Sequence, residues 1–98
     1  MIIVTGRATA RPEKLEEALR VSLEHVRRSR TEPGCLVHSV HQDVEDPNTL
    51  VFFEQWEDED ALSKHFAVPE SLAFVTVLSE CAATRPVMDL YTAEPLSS

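Results

Sequence analysis

The sequence predicts an α+β fold built on one antiparallel sheet. Three observations support this prediction. Four segments have the character of strands, the first and last because of a period of two and the middle two because they are rich in Val, Leu and Phe. Apolar residues recur at helical spacing in two of the segments between them, and proline or glycine separates several of these stretches. The resulting order of elements is β-α-β-β-α-β.

The first strand is predicted over residues 2–10. Ile2 and Val4 fall on one face, whereas Ile3 and Thr5 fall on the other, which is the period of two that a strand produces.

The first helix is predicted over residues 12–31. Pro12 suits a first helical turn, and Pro33 with Gly34 ends the helix, because proline cannot continue the hydrogen-bond ladder and glycine accepts a left-handed turn. Acidic residues come early in this segment and arginines come late, which complements the helix dipole. The residues at three- and four-residue spacing are Leu15, Ala18, Leu19, Ser22 and Val26.

A β-hairpin is predicted next, with strands over residues 35–44 and 49–57 joined by the turn-forming residues 45–48. Acidic residues 58–60 then begin a second helical region, which Pro69 divides into two pieces.

The last strand is predicted over residues 86–93, and a loose tail is expected from Glu94. The complete order is that of a ferredoxin-like unit, whose sheet carries both helices on one face. A single domain is expected over residues 1–98, with its core over about 2–92. The other sheet face needs a cover, and a symmetric partner is the simplest one, so a homodimer is expected.

The 98-residue composition excludes several functions. Nine basic against 17 acidic residues give a net charge of -8, which disfavours nucleic-acid binding. No apolar run approaches the roughly 20 residues of a membrane span, and the first residues lack the pattern of a signal peptide, so no membrane partner and a cytoplasmic location are expected. Two cysteines without metal-ligand spacing and no clustered metal-ligand residues predict no dedicated metal site.

The most unusual candidate site residue is Glu54, a carboxylate on an apolar strand face. Trp56 and Phe52 share this face because they are two residues away. Burial would raise the pKa of Glu54 or require a partner such as Arg7. Two interpretations stay open, a structural tether and a group that acts on a ligand bound against Trp56.

His65 follows Ala61 and Leu62 by one helical turn and is expected to face the sheet, where an imidazole could accept a proton. The alternative is a histidine that satisfies a backbone carbonyl. His38 and His41 are expected on opposite strand faces, and His25 is expected to be exposed on the first helix.

The chain resembles the antibiotic biosynthesis monooxygenase domain family. The resemblance covers about residues 2–92 and depends on four groups of residues. They are Glu32-Pro33-Gly34-Cys35, Asp46-Pro47, Glu54 with Trp56, and Ala61-Leu62 with His65.

The resemblance implies a dimeric α+β barrel and a monooxygenase that oxidises a small aromatic, phenolic or quinol-type substrate with molecular oxygen and without a cofactor. The catalytic candidates are then His65 as the base and Glu54 as an orienting group. The implied substrate-binding candidates are Trp56, Phe52, Arg7, His38 and Tyr91.

Two other functions remain possible. One is a homodimer of the same fold that binds a small metabolite without catalysis. The other is haem degradation, for which similar proteins use an asparagine on the first strand. Gly6 occupies the matching position here and offers no side chain, which makes this function less favoured.

Overall fold

A computed structural model describes residues 1–97 of the chain. It consists of four strands and three α-helices, with one short 3₁₀ turn at Pro12–Lys14. The elements are β1 (Ile2–Thr9), α1 (Leu15–Ser29), β2 (Cys35–Gln42), β3 (Thr49–Trp56), α2 (Glu59–Ala67), α3 (Pro69–Cys81) and β4 (Val87–Thr92).

The four strands form one antiparallel sheet in the order β2-β3-β1-β4. The two strands of the predicted hairpin, β2 and β3, are neighbours, and β1 lies between β3 and β4. This arrangement confirms the α+β, ferredoxin-like prediction. The strand bounds differ from the predicted ones by at most two residues at each end.

The two predicted helical regions are also present, with differences at their ends. Residues 12–14 form a 3₁₀ turn before α1, and α1 ends at Ser29, where residues 30–31 had been predicted to continue it. Pro69 separates α2 from α3, because its ring cannot continue the ladder of α2 but suits the first position of α3.

The helices pack on the sheet face that carries Leu50, Phe52, Glu54 and Trp56, all of which are buried. Two groups of buried apolar residues form the core. One includes Leu50 and Phe52 with Val26 of α1, and the other includes Val4 and Trp56 with Leu62 of α2.

The opposite sheet face carries exposed or half-buried residues. Val87 and Tyr91 of β4 are 59% and 53% exposed, and Val37 of β2 is 37% exposed. Arg7 and Phe53 also belong to this face, as the strand register shows. The helices therefore cover only one side of the sheet.

Gly34 closes the loop between α1 and β2 in a left-handed conformation with φ of 85°. A Cβ atom at this position would lie 2.5 Å from the Cβ of Ala61, so the loop approaches α2 closely. The Gly34 carbonyl also accepts a hydrogen bond from the Glu57 amide at 2.8 Å. Glycine is required here for both its backbone freedom and its small size.

Residues 93–97 contain no helix or strand. The predicted loose tail begins at Glu94 and includes Ser98, which lies outside the described residues.

Candidate functional site

His65 is held by a carboxylate from another part of the chain. Its Nδ1 lies 2.8 Å from Glu32 Oε1, and the imidazole is 3% exposed. Asp58 caps the start of α2 by accepting a hydrogen bond from the Ala61 amide at 2.9 Å, which fixes the helix that carries His65. A carboxylate on Nδ1 leaves Nε2 as the nitrogen that can accept a proton or bind a ligand.

Glu54 has two partners on the same sheet face. The Trp56 indole Nε1 donates a hydrogen bond to Glu54 Oε1 at 2.8 Å, and His38 Nε2 lies 3.3 Å from the same oxygen. His38 is opposite Glu54 in the β2–β3 register, which explains the contact.

Burial by itself would raise the pKa of the Glu54 carboxyl. The neighbouring His38, the Trp56 hydrogen bond and the more distant His65 outweigh burial, so the pKa is lowered. Of the two expected outcomes, a raised pKa or a partner, the structure shows the second, but the partners are Trp56 and His38 and not Arg7. Glu54 is an ionised carboxylate whose partners are aromatic nitrogens.

His25 is buried, with 6% of its surface exposed, so the expectation that it is exposed is wrong. The α1 stripe that contains Ala18, Ser22, Val26 and Ser29 also includes position 25, since it follows Ser22 by three residues. This spacing was the signal in the sequence that could have placed His25 inside.

The surroundings of His25 keep it neutral. Its ring stacks on Phe74 with 4.0 Å between centroids, and Arg28 donates a hydrogen bond to its Nδ1 at 3.0 Å. Burial first, and then the proximity of His38, His65 and Arg28, lowers the pKa of His25 to about 3.

His25, His38 and His65 come together although they belong to α1, β2 and α2. One ring nitrogen from each lies within 4.8 Å of the other two. The ring centroids are 5.2 Å apart for His25–His38, 5.2 Å for His25–His65 and 5.5 Å for His38–His65. These residues are not clustered in the sequence, and only the fold brings them together. We call these three residues the histidine cluster.

One cavity lies next to the histidine cluster but does not include it. It has a volume of about 350 Å³ and is mostly apolar, and Phe74 lies at its wall. Phe74 also stacks on His25, so one aromatic ring contacts both the cavity and the cluster. The other lining residues are Gly6, Arg7, Ala8, Phe52, Val75, Leu78, Ser79, Arg85, Pro86, Val87 and Met88.

The sequence-predicted site residues lie in three places, which are the cavity, the buried polar region beside it and a separate cleft at Tyr91. Phe52 and part of Arg7 line the cavity. His65, Glu54, Trp56 and His38 lie together in the buried polar region beside it; the His65 and Trp56 ring centroids are 4.5 Å apart.

Tyr91 lies elsewhere, at a cleft of about 220 Å³ near Leu62 and Phe66. The Arg7 guanidinium is also distant from Glu54. It donates a hydrogen bond to Asp43 at 2.8 Å on the other sheet face. Reasoning from the sequence missed His25, Glu32 and Phe74 as members of the site.

His38 and His41 lie on opposite strand faces, as predicted, with His38 1% exposed and His41 exposed. Cys35 and Cys81 are free thiols, and burial raises the pKa of each. Two of the arginines near the end of α1 bind within the fold. Arg28 donates to Ser71 at 2.9 Å, and Arg30 donates to the His38 carbonyl at 2.9 Å.

Comparison with known protein families shows which family the chain belongs to. The model of the family "Antibiotic biosynthesis monooxygenase" (ABM) matches residues 1–77. The chain belongs to the ABM family. Among the described residues, no helix of this ABM chain is both long and apolar enough to cross a membrane.

Two relatives share a third of their aligned residues with the ABM chain. An uncharacterized protein of Synechocystis sp. is 33% identical over 90 residues, which are 92% of this chain and 61% of the relative. A Bacillus subtilis protein named "Putative monooxygenase YcnE" is 33% identical over 75 residues, which are 76% of this chain and 79% of the relative. The chain thus spans about three fifths of the Synechocystis protein.

Among solved structures, a crystal structure described as an antibiotic biosynthesis monooxygenase superposes with a TM-score of 0.90. It is 29% identical and covers 97% of this chain and 100% of its own. The ABM assignment therefore has support from both sequence and fold.

Proposed function

We propose that this ABM chain is a monooxygenase that acts on a small aromatic, phenolic or quinol-type molecule bound in the 350 Å³ cavity. The observation that carries the proposal is the position of this apolar cavity, walled by Phe52 and Phe74, beside the buried histidine cluster, in which Glu32 holds His65. An apolar pocket with a few convergent polar groups is typical of small-molecule sites. The similarity to YcnE, whose name refers to a monooxygenase, also supports this function.

The proposed reaction uses no cofactor. A base removes a proton from the substrate, and the resulting electron-rich anion reduces molecular oxygen. For an anthrone-type methylene group, one oxygen atom enters as a carbonyl, while the second leaves as water with the two methylene hydrogens. The protein then has to supply a base and a polar environment for the anion.

His65 is the proposed base. Glu32 on Nδ1 fixes the ring orientation and stabilises the imidazolium that forms when Nε2 accepts the proton. Glu54, held by Trp56 and near His38, supplies a fixed negative charge beside the histidine cluster.

Access to His65 requires a movement of Phe74. This ring stacks on His25 at an interplanar angle of 5°, and the His25 ring lies 5.2 Å from that of His65. Rotation of Phe74 away from the stack opens the cavity toward the imidazoles. Side-chain rotation of this kind is a common gating step.

The test is oxygen uptake by chelator-treated protein with hydroquinones, dihydroxynaphthalenes and anthrones. His65→Gln should reduce the rate by about 10²-fold or more, since a general base contributes at least that much. His41→Gln is the matched control, because His41 is exposed on the other sheet face. Equal rates in wild type and His65→Gln would contradict the proposal.

A non-catalytic binding protein is the second candidate. The observation that favours it is the cavity lining, which includes Phe52 and Met88 but not His65 or Glu54. This function predicts ligand binding that Phe52→Ala weakens, with no product formed. A stoichiometric oxygenated product would contradict it.

Both candidates are proposed to be homodimers. The support is the uncovered sheet face, where Val37, Val87 and Tyr91 are exposed. Sedimentation at micromolar concentration tests this, and a monomer would contradict it. Haem degradation is not favoured because Gly6, at the cavity wall, offers no side chain that could contact the haem ligand.

A further inference from the structure

We propose that the histidine cluster, His25, His38 and His65, binds one divalent transition-metal ion. This inference goes beyond the proposed function and does not depend on it. The three side chains come from three different elements, and each is at least 94% buried, since their exposed fractions are 6%, 1% and 3%.

The distances between the rings fit a shared ion. With a metal–nitrogen bond of about 2.05 Å and a tetrahedral angle, the centroids of two bound imidazoles lie about 5.2 Å apart. The centroids here are 5.2, 5.2 and 5.5 Å apart. The nitrogens, now within 4.8 Å, would close to about 3.3 Å by small rotations of the rings.

The buried nitrogens of His38 have unmet bonding capacity. Among residues 1–97, neither Nδ1 nor Nε2 of His38 has a hydrogen-bond partner of good geometry, although Glu54 lies 3.3 Å from Nε2. An unpaired buried polar atom costs about 1–3 kcal/mol. A metal ion coordinated by His38 would remove this cost.

Carboxylates lie behind two of the three rings. Glu32 contacts His65 Nδ1 at 2.8 Å, and Glu54 is close to His38. Metal-binding histidines commonly have a carboxylate on the second nitrogen, which sets the tautomer and increases the basicity of the ring. The two carboxylates also balance the two positive charges of the ion.

His25 needs a change of hydrogen bonding. Arg28 now donates to its Nδ1, so the neutral ring carries its proton on Nε2. Metal binding at Nε2 moves that proton to Nδ1 and releases Arg28, which keeps its bond to Ser71 and its ion pair with Glu32 at 3.6 Å.

A cleft of about 260 Å³ between α1 and α3 provides a route to the cluster. His25 lies at this cleft together with Glu24 and Glu70, whose two carboxylates outnumber the single guanidinium of Arg28 there. Three imidazoles suit zinc, copper, nickel or iron and do not suit magnesium or calcium. Three protein ligands also leave a fourth position for water or another small ligand.

The test is a zinc titration of the full chelator-treated chain, with a chromogenic chelator as competitor. The expected stoichiometry is one ion per chain. His25→Gln, His38→Gln and His65→Gln should each weaken binding by about 100-fold or more, and Glu32→Gln by about 10- to 100-fold. His41→Gln and Cys35→Ser should bind zinc like the wild type.

A cobalt(II) titration of the wild-type chain provides a readout that does not depend on the variants folding. Intense visible bands of a four-coordinate cobalt site, without the charge-transfer band of a thiolate, are expected. No binding at micromolar metal, or binding that His41→Gln or Cys35→Ser reduces as much as His38→Gln does, would overturn the proposal.

The metal proposal and the proposed reaction fail separately. Metal binding is measured without substrate, whereas oxygen uptake is measured in chelated protein. Because a bound ion occupies Nε2 of His65, zinc should inhibit the cofactor-free reaction where both occur.

Discussion

Glu32 and His65 are 33 residues apart in the chain, yet the Glu32 carboxylate and His65 Nδ1 are 2.8 Å apart. Gly34 allows this contact, because its left-handed turn brings the end of the α1–β2 loop against the start of α2. The loop motif and the helix histidine therefore form one structural unit.

Coupling between Glu32 and His65 is the first prediction. A double-mutant cycle with Glu32→Gln and His65→Gln should give an interaction energy of about 1–3 kcal/mol, because a buried hydrogen bond to a charged group is lost in either variant. Urea unfolding in the presence of a chelator measures it. Additive effects of the two substitutions would contradict the contact.

Gly34→Ala should destabilise the fold by about 2 kcal/mol or more. The alanine backbone would have to keep the positive φ of Gly34, and the new Cβ would lie 2.5 Å from the Ala61 Cβ. Gly6→Ala is the matched control, since its Cβ would have an ordinary 3.4 Å contact with Phe52. Thermal unfolding measures the stability of both variants. An equal loss of stability in Gly34→Ala and Gly6→Ala would show that the Gly34 turn is not required.

Glu54→Leu should lower the free energy of unfolding by about 3 kcal/mol. It leaves the Trp56 indole N–H and His38 without their polar partner in a buried position. Glu54→Gln should cost less, because its amide oxygen can still accept from Trp56. Trp56, the only tryptophan of the chain, reports unfolding by its fluorescence. A larger loss in Glu54→Gln than in Glu54→Leu would contradict this account.

Phe74→Ala should expose His25. Phe74 covers one face of the His25 ring at 4.0 Å, and it separates this ring from the cavity. Diethyl pyrocarbonate followed by mass spectrometry should modify His41 equally in both proteins and should modify His25 more in the variant than in the wild type. Leu72→Ala, an exposed position on α3, is the control. Continued protection of His25 in Phe74→Ala would contradict the role of Phe74 as a cover.

Arg7→Gln should raise the pKa of the Asp43 carboxyl toward its ordinary value. The Glu45 backbone amide first, and Arg7 second, lower this pKa in the folded protein. A lowered folded pKa stabilises the protein above the unfolded pKa of about 3.9, and this contribution is lost as the pH falls through the folded pKa. A carboxyl NMR titration measures the shift. Only part of the pKa shift of Asp43 should disappear, since the hydrogen bond from the Glu45 backbone amide remains.

Local patterns in the sequence determined the fold. The period of two in β1, the Val, Leu and Phe content of β2 and β3, the stripe of α1, and the breaks at Pro33-Gly34 and Pro69 each depend on neighbouring residues, and all of these elements are present. The same period of two placed Glu54 and Trp56 on one face and separated His38 from His41. Such features are readable because the backbone period fixes the direction of each side chain.

Only the tertiary structure decided the composition of the site. The sequence could not show that His25, His38 and His65 meet, that Glu32 is the partner of His65, or that Arg7 pairs with Asp43. These contacts depend on how α1 and α2 lie on the sheet and on the register of β2 against β3. Packing of whole elements sets those positions, and no local period records them.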